Sequence, residues 1–338
     1  MSTKSLTPRD RVLKFLNGED VGRPPIFSGM GNVIVPMLDK YGIVFSRVHR
    51  DPELMAKAAA GMYREFGFEC AVVPFDLGVE AEALGATMNY YDDVEGLLYP
   101  TMQKKPVKDA DDLQIPSDLE HAGRIPVVTQ AIKALRQDLG DEVAIGTYVI
   151  GPFTLAGQVK ELDDLLEESL LEPEKTNQLL EKLSDAIIKV FHIYKDAGAD
   201  YFTLREMGAT SDVLSPKSFK SLIKPHQERI ISAMPRPAIL HICGDTNAII
   251  EDMADCGADA ISVDQKNRLK DTREKLGPDV IVLGNFDPVK VLHQGKPEDV
   301  GPAMKASLNE GADAVWPGCD IWPEVPRENM EALMSALK

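Results

Sequence analysis

The chain has 338 residues, 44% of them hydrophobic, and 54 acidic against 37 basic residues give it a formal net charge of −17. That balance argues against nucleic acid or an anionic membrane as partner, and no stretch approaches the roughly 20 apolar residues of a membrane span. The opening Met-Ser-Thr-Lys-Ser-Leu-Thr lacks an apolar signal core, and 4 scattered cysteines make no disulfide framework, so a cytoplasmic protein of a reducing compartment is expected.

In chain order, Thr7-Pro8-Arg9-Asp10 opens a helix to about Leu16, with Thr7 as N-cap, Pro8 at the first position and Asp10 as the capping-box return. Residues 1–24 then form a helical extension ahead of the first strand. Apolar strands are predicted at 25–29, 70–76, 143–151, 201–206, 238–244, 260–264, 280–287 and 314–320. Amphipathic helices lie between them, such as 174–195 and 216–234, the latter kinked at Pro225. Residues 90–100, rich in Tyr and Asp, read as an excursion over one end of the fold.

Three segments repeat one phrase: Asp196-Ala-Gly-Ala-Asp-Tyr-Phe202, Asp255-Cys-Gly-Ala-Asp-Ala-Ile261 and Glu310-Gly-Ala-Asp-Ala-Val315. Each is a helix end, a glycine suited to the left-handed stop, and an apolar strand. Strand alternating with helix eight times indicates an α/β protein built as a closed parallel (β/α)8 TIM barrel, with residues 1–338 as one domain. An open doubly wound sheet is the competing arrangement.

Barrel active sites lie at the carboxyl ends of the strands. Those ends here carry Ser28, Asp76, Tyr148, Glu206, His241, Cys243, Asp264, Asn285, Asp287 and Cys319. His241 and Cys243 stand two apart in Leu240-His-Ile-Cys-Gly244, so both side chains leave the same face of one strand. Cys319 ends the eighth strand. One imidazole and two thiolates with a position left open is the ligand set of a catalytic zinc; a closed set of four would be structural. An ion held by all three sits near the barrel axis. Asp76 and Glu206 are the candidate catalytic carboxylates beside it. Asp264 is a candidate fourth ligand or acceptor for His241, and the turn from Gly151 to Thr154 a candidate anion site. Cys70 and Cys256 are expected in the core, and the other five histidines, His49, His121, His192, His226 and His293, have no partner spacing.

Along nearly its whole length the chain resembles the uroporphyrinogen decarboxylase superfamily. The resemblance rests on Thr7-Pro-Arg-Asp-Arg-Val-Leu-Lys-Phe-Leu-Asn-Gly18 with Arg23-Pro24, on Phe75-Asp76, on Gly151-Pro-Phe-Thr-Leu155 and on Ser215-Pro-Lys-Ser-Phe219. Leu240-His-Ile-Cys-Gly244 and Pro317-Gly-Cys319 are similar to the zinc motif of the methylcobamide:coenzyme M methyltransferases within it. The arginines with which the decarboxylases clamp substrate carboxylates are missing from Phe27-Ser-Gly-Met-Gly-Asn32. Their tyrosine falls roughly at Gln158 and their late histidine near Cys319, while their aspartate remains as Asp76.

The resemblance therefore implies a zinc-dependent transfer of methyl from a methylcobamide, supplied by a partner corrinoid protein, to the thiol of coenzyme M. A decarboxylase-like activity, or transfer to a different thiol, is the alternative. For the sulfonate of coenzyme M the candidates are Arg205, Lys266 and the turn from Gly151 to Thr154. No corrin-binding motif of the Asp-x-His-x-x-Gly type is present.

Overall fold

The computed structural model describes residues 6–92, 94 and 96–336. Six parallel strands form one sheet: β1 (Cys70–Val73), β4 (Ala144–Ile150), β5 (Tyr201–Glu206), β6 (Ala238–Ile242), β7 (Ala260–Val263) and β8 (Ile281–Leu283), hydrogen-bonded in that order. The predicted first and eighth strands close the ring through parallel bridges alone: Ile26 with Val315, Ala314 with Leu283, and Pro317 with Phe286. Ile26 joins β1 at the other side, accepting the Glu69 N–H at 2.9 Å and donating its own N–H to the Glu69 carboxylate at 2.8 Å. The fold is thus the expected (β/α)8 barrel, and the open sheet is excluded by this closure.

Both closing segments are short for local reasons. After Ile26 the chain runs through Gly29 and Gly31, which press against the Thr203 side chain and the Pro74 carbonyl where a Cβ would overlap. Such close approach favours glycine and leaves no room for a continuous ladder. In the other segment Pro317 has no N–H to give. The glycines of the repeated phrase take the left-handed conformation predicted for them, with φ of 112° at Gly198, 82° at Gly257 and 120° at Gly311.

The leading helix, Pro8–Leu16, is capped by the Thr7 side chain, which accepts the Asp10 N–H at 3.0 Å. It packs against the amino ends of β4 and β5: Arg9 donates to the Glu142 carbonyl and pairs with Asp200 at 2.8 Å. Predicted helix 174–195 is observed as Pro173–Ala197. Predicted helix 216–234 is divided by a wide π turn at Phe219–Ile223, immediately before Pro225. A proline cannot donate to the turn before it, and the wide turn accommodates that loss.

One sheet was not foreseen. β2 (Thr87–Asn89) and β3 (Thr101–Lys104) pair antiparallel, and the intervening loop reaches the barrel mouth. Residues 93 and 95 of the expected excursion lie outside the described residues.

Candidate metal centre and mouth cavity

Alternation along each strand decides what enters the barrel. In β5, Arg205 turns inward and its guanidinium lies 4.7 Å from the centroid of the Tyr148 ring, whereas Phe202 turns outward onto Phe191 of the long helix. Register pairs Arg205 with His241 and Glu206 with Ile242. His241 therefore faces inward beside Arg205, and Glu206 faces the helices.

His241, Cys243 and Cys319 converge as the sequence predicted, with their ligand atoms all within 4.8 Å of one another. His241 Nε2 is 3.0 Å from the Cys243 sulfur, which is 3.3 Å from that of Cys319. Tetrahedral zinc with bonds of about 2.0–2.3 Å spaces its ligands roughly 3.5–3.8 Å apart, so the trio fits such an ion with small adjustments. The donor chemistry fits as well. His241 Nδ1 lies 2.8 Å from Ser262 Oγ, which fixes the ring and turns Nε2 to the sulfurs. Ser262, on β7, thus takes the role expected of Asp264, whose Oδ1 instead accepts the Lys266 N–H at 2.9 Å.

The two sulfurs lie in hydrogen-bond contact, and that contact drives their pKa values apart. Cys243 is held well below its ordinary pKa by the Cys319 hydrogen bond, with His241 and Arg205 helping against burial. Cys319 is pushed well above its own by the same bond and by burial. Cys70 and Cys256 lie in the core as expected, both pushed up to about 12 by burial.

Beside this trio opens a cavity of about 490 Å³, lined among others by Asp76, Tyr99, Gln158, Arg205, Asp320 and Trp322. Arg205 is 1% exposed. It grips Asp320 through two N–H donors at 2.6 and 3.2 Å, next in sequence to Cys319, and its Nε has no partner.

Asp76 lies at the cavity wall within a buried network. Arg124 donates to it at 2.6 and 2.9 Å, His49 Nδ1 lies 3.1 Å away, and the Gly78 N–H donates at 3.0 Å. Burial works to raise its pKa, but Arg124 and His49 overrule it and hold the carboxyl well below the usual range. His49, which has no partner spacing in the sequence, thus has a partner in space.

Glu206 sits elsewhere. Its carboxylate accepts from the Phe153 and Thr154 N–H groups at 3.0 and 2.9 Å, and from the Thr154 hydroxyl. The expected anion site at the Gly151 turn is therefore filled by the chain's own carboxylate. Gly151 is required there, since a Cβ would stand 2.5 Å from Glu206 Oε2. Lys266 is exposed and pairs with Asp212 at 2.8 Å. Of the three sulfonate candidates, Arg205 alone lines the cavity.

The comparisons agree with this architecture. The family model for uroporphyrinogen decarboxylase (URO-D) matches residues 7–338. The chain is 32% identical to the methylcobamide:CoM methyltransferase MtaA of Methanosarcina barkeri, covering 98% of this chain and 97% of that one. It is 30% identical to the methylcobamide:CoM methyltransferase MtbA of Methanosarcina acetivorans, covering 98% of each. A solved methyltransferase from Methanosarcina mazei superposes with a TM-score of 0.93 at 33% identity, over 98% of both chains. With that full-length agreement in sequence and fold, the chain belongs to the uroporphyrinogen decarboxylase family, among its methylcobamide:CoM methyltransferases.

Proposed function

We propose that this enzyme moves a methyl group from a methylated corrinoid, carried by a separate protein, to the thiol of coenzyme M, using one zinc ion held by His241, Cys243 and Cys319. The observation that carries the reading is the convergence of those three ligand atoms within 4.8 Å beside a 490 Å³ cavity. Zinc bound there would lower the pKa of the acceptor thiol and keep it a nucleophilic thiolate near neutral pH.

The chain's own residues do the rest. Ser262 sets the His241 tautomer, and Arg205 holds the Cys319 segment through Asp320. We assign the sulfonate to Arg205, the one of the three candidate groups that lines the cavity. Asp76 shapes the cavity wall with its charge fixed by Arg124, and Glu206 steadies the helix that starts at Pro152. In the transfer the sulfur–carbon bond forms as the cobalt–carbon bond breaks. The bonding pair stays with cobalt, reduced from (III) to (I), and the thiol proton leaves to solvent. A single domain over 1–338, with residues 1–24 as a helical extension, and a cytoplasmic setting belong to the same reading. Among the described residues no helix is long and apolar enough to cross a membrane.

The engagement of Asp76 by Arg124, His49 and Gly78 disfavours a decarboxylase, which would need that carboxylate for substrate. The test is a zinc determination joined to a methylcobalamin:coenzyme M assay. Wild type should hold one zinc per chain, be colourless as purified, and methylate coenzyme M. Cys319→Ala should lose both metal and turnover while keeping its fold; zinc at wild-type stoichiometry in that variant would sink the ligand assignment.

A further inference from the structure

The segment after Cys319 turns out of the barrel and carries Trp322 to the rim of the cavity, where 46% of it stays exposed. Leaving an indole in water forgoes the burial that stabilises most tryptophans. The only other tryptophan, Trp316, is fully buried in the barrel. Trp322 is nonetheless braced. Its ring lies against His293, with centroids 5.5 Å apart and planes inclined by 33°. The same cavity is lined by Leu97, Tyr99 and Pro100 of the loop between β2 and β3, and Leu98 beside them is exposed. Two separate segments thus bring apolar and aromatic groups to this cavity, although the chain as a whole is strongly acidic.

We propose that Trp322, backed by His293, is a stacking platform for the corrin macrocycle of the methyl donor. The inference rests on the methyl-transfer reading and adds the residue that seats the donor. A cavity of 490 Å³ admits a small thiol, whereas a substituted tetrapyrrole is too broad to enter and must lie across the mouth. There its face meets the outer side of the indole. A rigid, braced ring contributes contact area at little entropic cost. Trp322 is then a positioning residue for the donor, with no part in activating the thiol.

Cyanocobalamin, which carries no transferable methyl group, is the binding probe, used on metal-free and zinc-loaded protein alike by equilibrium dialysis. Trp322→Ala should weaken its binding roughly tenfold in both forms, and Trp322→Phe by less. In the transfer assay the KM for methylcobalamin should rise in step, while the KM for coenzyme M moves less than about twofold. Circular dichroism and thermal melting of both variants should match wild type, because the side chain is half exposed. Equal cyanocobalamin affinity in wild type and Trp322→Ala overturns the platform, as does a loss confined to the KM for coenzyme M. Wild type that turns over with an unaltered Trp322→Ala leaves the methyltransferase reading standing. Wild type that neither binds the probe nor methylates a thiol removes both.

Discussion

Ser262 is a small residue with a large assignment, because it alone fixes which His241 nitrogen faces the sulfurs. Ser262→Ala should lower zinc affinity about 10–100-fold, the usual cost of removing a partner that orients a ligand, read by competition with a chromogenic chelator. Asp76 gives a pH prediction. Its folded pKa is depressed below the ordinary 3.8, so its contribution is present above that value and is lost as pH falls through the lowered native one. Asp76→Ala should cost about 2–4 kcal/mol, since buried Arg124 loses its two-pronged partner and keeps only Glu82 as counter-charge; Asp76→Asn should cost less and flatten the acid limb of the stability curve. Glu80 runs the other way. Burial without a partner for Oε1 pushes its carboxyl from 4.5 up to about 8. The unfolded state therefore ionises first, and stability falls as pH rises from about 4.5 to 8. Glu80→Gln should remove that slope, so that urea midpoints at pH 5 and pH 8 draw together. The convergence of His241, Cys243 and Cys319 was legible because spacing and strand ends point to it. Arg124 with Asp76, or Arg205 with Asp320, left no trace, being 48 and 115 residues apart.

Among the elements, the barrel strands could be read from apolar runs bounded by glycine, and the outward direction of Glu206 follows from simple alternation once its strand is paired. What alternation cannot say is which end of which helix awaits that carboxylate. The pairing with the start of the helix Pro152–Val159 is a helix-terminus effect, anion against free N–H groups. Glu206→Ala should destabilise the fold by about 2–3 kcal/mol by leaving these donors unmet, while zinc per chain stays at the wild-type value. Denaturant titration and metal analysis of one preparation measure both. A loss of zinc in step with the loss of stability would return Glu206 to the metal's surroundings. The ribbon of β2 and β3 escaped sequence reading because its strands are three and four residues long and largely exposed, with no buried face to impose a period of two.

At the scale of the molecule, the ring is continuous in hydrogen bonds on six strands and merely bridged on two. The proposed metal spans that weaker arc, joining β6 to the segment after Ala314. Stripping it with a chelator should therefore lower the melting temperature by several degrees, as linkage requires for a ligand bound only by the folded state. It should also quicken amide exchange in 314–324 more than in β4 or β5. The two halves of the centre are separated by 76 residues of chain, and that distance has a consequence in time. During synthesis His241 and Cys243 emerge long before their third partner, and a pair of ligands holds an ion loosely. Cys319 follows only after β7 and β8 have been made. Firm capture of the proposed ion thus waits for Cys319, which places metallation late in this protein's assembly and leaves a chain cut before Cys319 unable to retain it.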